Sequence, residues 1–303
     1  MEGAQSCLVS EAMTLTDLID PSKTEHGENF PVASHLITPR LRTPILSFYR
    51  FARAADDIAD HPGLSENSKL AGLDDLEGTL LGKSDAAKPA LALRHVLAER
   101  ELATEHTLDL LTAFRSDVTK RRYASWDELM SYCRYSAMPV GRFVLDLHGE
   151  DRSTWAHSDP LCAALQVINH LQDCAKDYQA LDRVYLPFDI MAAQGTTVES
   201  LGFPKAEPGL RNCLTIVAGK TAELLPEAAK LPQAVKDTRL SLETGAIVGL
   251  AHKLLAMLMT RDPLSERVHL TKSAALLQTA RGVASTFAER LMLSAASPRQ
   301  RQR

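Results

Sequence analysis

The chain has 303 residues, of which 45% are hydrophobic, enough to bury a sizeable core in one large domain or two modest ones. Its 34 basic and 38 acidic residues give a formal net charge of −4, which argues against a nucleic-acid partner. The five cysteines are widely spread, without the spacing typical of a zinc site, so reduced thiols in a cytoplasmic protein are the simplest interpretation.

The sequence gives no sign of a targeting or membrane segment. The first residues lack the basic segment and long apolar run of a signal peptide. The longest apolar-rich stretch, 245–259, is short and contains His252 and Lys253, so we expect no membrane span. About 1–25 and 295–303 are expected to be flexible.

Helical signals dominate the region between these ends, and alternating β-branched runs are scarce. The spacing of apolar residues over 88–118 predicts two helices, or one helix broken near Thr104. Further helices are predicted over 44–60, 126–149, 159–180, 208–231, 237–260 and 271–294. We therefore predict a single all-α domain over 1–303.

A first acidic cluster lies in "FARAADDIADHP", residues 51–62. At about 100° per residue, Tyr49, Asp56 and Asp60 lie about 40°, 60° and 20° to one side of Arg53, in one narrow stripe. Asp57 lies just beyond that stripe, about 40° to the other side of Arg53. Two carboxylates one turn apart can ligate Mg²⁺, and an arginine beside them can hold a phosphate. A solvated helix face with an internal Arg–Asp pair explains the same pattern without a metal.

A second acidic cluster repeats this arrangement in residues 167–187. Asp173 and Asp177 are again four residues apart, with Asn169 and Gln172 close by. Two facing acidic helices repel each other unless cations bridge them, and a diphosphate held through Mg²⁺ would neutralise both. Two unrelated surface faces are the alternative.

Two further parts of the sequence bear on a ligand site. His170 adjoins the second cluster, where a hydrogen-bonding or core role is the commoner one for a single histidine. In residues 131–149, Pro139 is predicted to kink a helix between the small residues Ala137 and Gly141. This pattern fits a channel for a long apolar substrate and equally fits close helix packing; Tyr132 and Tyr135 do not decide between them.

Together these segments resemble the squalene/phytoene synthase family of head-to-head prenyl synthases, over about residues 25–290. The resemblance is carried, in the family's order, by "FYRFARAADDIAD", "YCRYSAMPVG", "NHLQDCAKDY" and "RVYLP". More narrowly, "ENFPVAS", "ADDIADHPG" and "INHLQDCAKD" resemble the bacterial branch that makes hydroxysqualene for hopanoid synthesis.

The resemblance implies an all-α isoprenoid-synthase helical bundle around a central active-site cavity, with Mg²⁺ ions gripping a diphosphate. The positions that match the family's motifs fall into three sets. The implied metal ligands are Asp56, Asp60, Asn169, Asp173 and Asp177. The implied catalytic residues are Tyr49, Arg53, Tyr132 and Arg183, and the implied substrate-binding residues are Asp57, Gln172 and Tyr185.

The sequence departs from the family's pattern at two places. Lys176 stands where an acidic residue is common, which weakens one metal contact. The stretch "HGEN" before Phe30 replaces a Ser/basic/Ser cluster, so phosphate contacts from that segment are doubtful.

The implied reaction is the Mg²⁺-dependent conversion of presqualene diphosphate and water to hydroxysqualene and diphosphate, without NADPH. One alternative is condensation of two farnesyl or geranylgeranyl diphosphates, as in presqualene diphosphate, squalene or phytoene synthases. A non-catalytic helical assembly protein is an alternative of another class, and a terpene cyclase fits less well because the second motif repeats D-x-x-x-D. Peripheral membrane association and contact with neighbouring pathway enzymes are further expectations.

Overall fold

The computed structural model describes residues 36–296, which contain helices and one isolated β-bridge but no strand. The α-helices are α1 Pro39–Asp60, α2 Glu66–Leu80, α3 Lys88–Glu99, α4 Glu105–Thr119, α5 Trp126–Ser136, α6 Met138–Leu147, α7 Trp155–Leu181, α8 Phe188–Ala193, α9 Pro208–Ala222, α10 Leu225–Ala228, α11 Leu231–Ala234, α12 Thr238–Thr260 and α13 Lys272–Ala296. Short 3₁₀ helices cover Arg152–Thr154 and Val198–Gly202. The all-α prediction is confirmed for these residues. The expectations for residues 1–25, "HGEN", "ENFPVAS" and the end of the chain after Ala296 lie outside the described residues.

Two predicted helix breaks are present, one of them in a different form. The break near Thr104 is confirmed, since α3 ends at Glu99 and Thr104 precedes the first residue of α4. Pro139 does not kink a continuous helix; the chain breaks at Ala137, and Pro139 lies in the first turn of α6. A proline is well accommodated there because the first N–H groups of a helix have no intrahelical acceptor.

The predicted helix over 208–231 was wrong in extent, because α9 ends at Ala222 and two one-turn helices follow. Pro226 and Pro232 each lie at the start of one of these turns and prevent continuation of the helix before them. Helix α2 was missed, although Leu73, Leu76 and Leu80 recur at helical spacing and are buried.

Helix α7, with 27 residues, is the centre of the bundle. It contacts α5, α6, α9, α10 and α12, whereas α1 packs against α2, α3 and α4. Phe51 and Ile58 are fully buried and share one side of α1, which we take to be the side that packs on α2, α3 and α4. The opposite side of α1 is thereby left to face α7 across the interior.

Helix α12 is long and apolar enough to cross a membrane by length and composition, the one such helix within residues 36–296. In this fold 61% of its most apolar 18-residue window is buried, as for the core helix of a soluble domain. One side of α12 contacts α7 and the other packs on α13.

Helices α12 and α13 approach very closely through glycines. A Cβ atom added to Gly245 would lie 1.9 Å from Thr286 Oγ1, and one added to Gly282 would lie 2.8 Å from the Cα of Ala246. Only glycine permits such an approach of two backbones. This packing fixes which side of α13 faces the bundle and which side faces outward.

Candidate functional site

A cavity of about 420 Å³ lies between α1, α6, α7 and α12. Its walls are mostly apolar, and the stacked rings of Phe48 and Phe143, with centroids 4.0 Å apart, form part of them. The residues of α1 and α7 that line it are Ile45, Phe48, Tyr49, Ala52, Arg53, Ser158, Leu161, Cys162, Leu165, Gln166 and Asn169. An interior of this size and composition is typical of a site for an apolar small molecule.

The cavity-lining stripe of each helix continues, toward its C-terminal end, into an acidic pair. On α1, Arg53 is followed one turn later by Asp56 and then Asp60; on α7, Asn169 is followed one turn later by Asp173 and then Asp177. At about 100° per residue, the lining residues and the acids of each helix share one side. The apolar cavity therefore ends at a carboxylate-rich mouth.

Each aspartate of the α1 pair is held by an arginine. Arg53 Nη1 lies 2.5 Å from Asp56 Oδ2, and Arg183 Nη2 lies 2.8 Å from Asp60 Oδ1. Burial, followed by repulsion from Asp60, raises the pKa of Asp56 to about 7. Two carboxylates this close in a partly dehydrated site favour a bound cation.

The acids of α7 face those of α1. Burial raises the pKa of Asp177 to about 7, with repulsion from Asp173 and then from Asp60 adding to it. Arg183 connects the two pairs, since its backbone N–H donates to the carbonyl of Asp177 over 3.2 Å and its side chain lies 2.8 Å from Asp60 of α1. The two clusters are thus brought together and are not unrelated surface faces.

Arg183 reaches this mouth because of how α7 ends. Asp182 closes the helix in the left-handed region, with φ of 50°, and Arg122 binds both its carbonyl and its carboxylate. The following segment runs beside 121–124, where Val184 N donates to the carbonyl of Arg121 over 2.9 Å. This register turns the buried Arg183 side chain inward.

Behind Arg183 lies a buried group of tyrosines around Asp117, a residue that sequence reasoning missed. Tyr132 donates its hydroxyl to Asp117 Oδ2 over 2.7 Å, and Arg183 Nη2 donates to the Asp117 carbonyl over 2.9 Å. Burial raises the pKa of Asp117 to about 6, although Arg183 and Tyr132 lower it in part. The signal available in the sequence was an aspartate in the last turn of a helix, next to buried Val118.

His170 belongs to the same group. Its ring stacks on Tyr185 with centroids 3.4 Å apart, and its Nε2 lies 3.1 Å from the Gln166 amide nitrogen. Burial lowers its pKa to about 3, so it is neutral at physiological pH. This agrees with a hydrogen-bonding core histidine.

The remaining sequence-predicted residues lie in several environments. Tyr49 lines the cavity and Tyr185 is buried in the tyrosine group. Gln172 is buried, and its amide nitrogen donates to the carbonyl of Val268. Asp57 is half-buried and Lys176 is exposed. The functional roles of these residues stay predictions.

Gly141, one of the small residues of 131–149, fits both alternatives considered above, a channel for an apolar ligand and close packing of two helices. Gly141 lines the cavity, and an added Cβ there would lie 2.3 Å from Ser158 Oγ and 2.6 Å from Cys162 Sγ. Gly141 therefore permits close packing of α6 on α7 at the cavity wall.

Glu243 of α12 is a second residue that sequence reasoning missed. It is buried, 5% exposed, and lines the cavity beside Thr244 and Leu240. Its signal in the sequence was a single acid within the apolar run of α12.

The donors at the mouth fit a hard divalent cation, since four aspartates and one asparagine supply only oxygen ligands of the kind that Mg²⁺ prefers. Within residues 36–296 one set of three side chains brings possible ligand atoms within 4.8 Å of one another, and it lies elsewhere, at Glu105, His106 and Asp146. Arg152 lies 2.6 Å from Glu105 there and supplies a positive charge itself. No three of the carboxylates at the mouth come this close among the described residues, so their arrangement is more open than that set.

Comparison with known proteins agrees with this geometry. The profile of the squalene/phytoene synthase family matches residues 23–274. A hydroxysqualene synthase of Rhodopseudomonas palustris is 55% identical over 258 residues, 85% of this chain and 88% of that protein.

Among solved structures, squalene synthase HpnC from Alicyclobacillus acidocaldarius is 30% identical with a TM-score of 0.62, covering 86% of this chain and 87% of that one. A dehydrosqualene synthase at 21% identity has a TM-score of 0.75, covers 86% of this chain and 93% of its own, and supports the isoprenoid-synthase fold. The chain belongs to the squalene/phytoene synthase family.

Proposed function

We propose that this protein converts presqualene diphosphate and water to hydroxysqualene and diphosphate in a Mg²⁺-dependent reaction. The observation that carries the proposal is the continuity of an apolar cavity with a mouth of two facing acidic pairs and two arginines. An amphipathic substrate with a hydrocarbon body and a diphosphate head matches both parts. The relatives named hydroxysqualene synthase support the choice of reaction within the family.

The metal is assigned to Asp56, Asp60, Asn169, Asp173 and Asp177. When bound, Mg²⁺ supplies charge stabilisation for the departing diphosphate. Arg53 and Arg183 add fixed positive charge at the same mouth, and Arg183 is held by its contacts with Asp60 and Asp117.

The cavity protects the carbocation that remains after diphosphate has left. Phe48, Phe143 and the aliphatic wall exclude bulk water from the hydrocarbon part. The face of Tyr49, which also lines the cavity, can stabilise positive charge by about 0.5–2 kcal/mol. Capture by one water gives the alcohol, so the reaction consumes no reductant and NADPH is not required. We place the protein in the cytoplasm, where it takes a lipid-derived substrate.

The proposal is tested by incubating purified protein with presqualene diphosphate and Mg²⁺, with and without NADPH, and identifying products by mass spectrometry. We expect hydroxysqualene and diphosphate in both incubations, and none after chelation of the metal. Asp56→Ala and Asp173→Ala should abolish turnover while leaving the fold intact. Asp75→Asn, an exposed aspartate on α2, is the matched control and should retain full activity.

Three outcomes would contradict the proposal in different ways. Condensation of farnesyl diphosphate with no product from presqualene diphosphate would assign the protein to the first step of the pathway. Near-normal turnover of either aspartate variant at saturating Mg²⁺ would remove the two-cluster mechanism. No turnover of any prenyl diphosphate by folded protein would favour a non-catalytic assembly role.

A further inference from the structure

The outward side of α13 exposes large apolar side chains. Their exposed fractions are 71% for Leu276, 53% for Leu277, 52% for Phe287 and 53% for Leu291. We call these four residues, with the exposed Ala280 and Ala284, the outer face of α13. Exposed leucines occurring singly need no explanation, but a set on one helix does.

These residues form one continuous stripe. At about 100° per residue, Leu277, Phe287 and Leu291 all lie within about 100° of Leu276, and the two alanines lie between them. The stripe contains no charged residue over 276–291. The side that packs on α12, at Gly282 and Thr286, is turned away from it, roughly on the opposite side of the helix. The contacts of α13 are with α12 and α11, so neither neighbour covers the outer face.

Basic residues flank the outer face. Lys272 and Arg281 on α13 are exposed, and so is Lys253, one turn after Gly249 on the neighbouring α12. In the sequence, 297–303 adds three arginines and no acid. The one acid of α13, Glu289, accepts from Gln233 Nε2 over 2.9 Å and from Ser285 Oγ over 3.1 Å, on the other side of the helix. An apolar stripe with basic flanks is the pattern of a helix that lies in a membrane interface.

A second copy of the chain fits this face less well than a bilayer does. The stripe is about 23 Å long, and with a helix diameter of about 10 Å it offers on the order of 230 Å², against about 800 Å² per partner in a stable interface. Pairing two such faces would also bring their basic flanks together, whereas anionic headgroups complement them.

We propose that the outer face of α13 docks on an anionic lipid bilayer, with its apolar side chains at the boundary of headgroups and acyl chains and the flanking basic residues on the headgroups. Helix α12 lies between this face and the cavity, since Gly249 packs on Gln278 of α13 and Ile247 lines the cavity. Both α13 and α12 then lie between the bilayer and the cavity, so the docked orientation sets the cavity wall about two helix diameters, about 20 Å, from the bilayer. This inference does not depend on which reaction the cavity performs.

The test is flotation of the full chain with two kinds of vesicle. One is phosphatidylcholine with about one third phosphatidylglycerol, and the other is phosphatidylcholine alone. We expect binding to the anionic vesicles, at least fivefold weaker binding to phosphatidylcholine, and release as NaCl rises to about 0.5 M. The double variant Leu276→Glu/Phe287→Glu should lose at least tenfold in partitioning. Phe203→Glu, which changes a similarly exposed aromatic residue outside α13, is the matched control and should bind as the unmodified protein does.

Thermal unfolding and light scattering of the same proteins make the result decisive. Loss of vesicle binding in the double variant, with an unchanged unfolding temperature and molar mass, supports docking through this face. Failure of the full chain to float, or equal flotation of the double variant, overturns the proposal. A dimer that the double variant abolishes, without vesicle binding, would assign the face to a second copy instead.

Discussion

Replacement of Asp177 by asparagine should stabilise the metal-free protein at alkaline pH while abolishing its proposed activity. The carboxylate has a pKa of about 7 in the folded chain, against 3.8 for an unperturbed aspartate. Between these two values the folded protein binds more protons than the unfolded chain, so its stability falls as pH rises. At pH 8 ionised Asp177 costs about 4 kcal/mol.

The net gain is smaller than this cost, because burying the neutral amide carries a penalty of about 1–3 kcal/mol. We therefore expect Asp177→Asn to be more stable than the unmodified protein by about 1–3 kcal/mol at pH 8, a rise in unfolding temperature of about 2–5 °C for a chain of this length. At pH 5 the folded carboxyl is protonated and its cost falls below about 2 kcal/mol, so the two proteins should have similar stability.

Thermal and urea unfolding with a chelator at pH 5, 6.5 and 8 measure this difference, and Asp75→Asn serves as the exposed control. Addition of Mg²⁺ with diphosphate should stabilise the unmodified protein more than the variant, because a ligand of the folded state stabilises according to its affinity. A variant less stable than the unmodified protein at pH 8, or a difference that does not change with pH, would refute the argument that burial and the neighbouring carboxylates raise the pKa of Asp177.

Three further substitutions probe the groups around the mouth and the helix pair behind it. Arg183→Gln leaves Asp60 and Asp117 without their buried cation and should cost about 3–5 kcal/mol, measured by urea unfolding at pH 7.5; a cost below about 1 kcal/mol would contradict this. Tyr132→Phe removes the donor to Asp117 Oδ2 and should cost about 1–3 kcal/mol with little change in helix content by circular dichroism. Gly282→Ala forces a Cβ into the backbone of α12 and should lower the unfolding temperature, whereas Gly219→Ala, where an added Cβ meets nothing within 4 Å, should not.

Helix content and the two acidic pairs could be predicted from the sequence because both are local patterns. The i and i+4 spacing of Asp56 with Asp60, and of Asp173 with Asp177, is fixed by the helix itself. That the two pairs face each other depends on how two separate helices pack, which the sequence indicated only indirectly, through the repulsion between two acidic helices and through the family resemblance. The contacts of Arg183 with Asp60 and with the backbone of Asp177 supply that tertiary information.

Asp117 and Glu243 could not be identified in this way, because neither belongs to a repeated or spaced pattern. Asp117 comes to matter through Arg183, 66 residues later in the chain, and through Tyr132. Glu243 comes to matter because α12 turns one side toward the cavity. Gln172 shows the reverse case, since a residue adjoining a motif aspartate makes a contact with the backbone of Val268.

On α1 the cavity-lining residues and the aspartates lie on the same side of the helix, and this limits how the protein can change in evolution or by engineering. Inserting one residue between Ala52 and Asp56 would turn the acids by about 100° relative to Ile45 and Phe48, so the spacing cannot drift even where the residue types can. Substitutions in the first turns of α1 leave that register untouched. The apolar part of the cavity can therefore diverge while its acidic end stays the same, so α1 has one end that is fixed in sequence spacing and one that can vary.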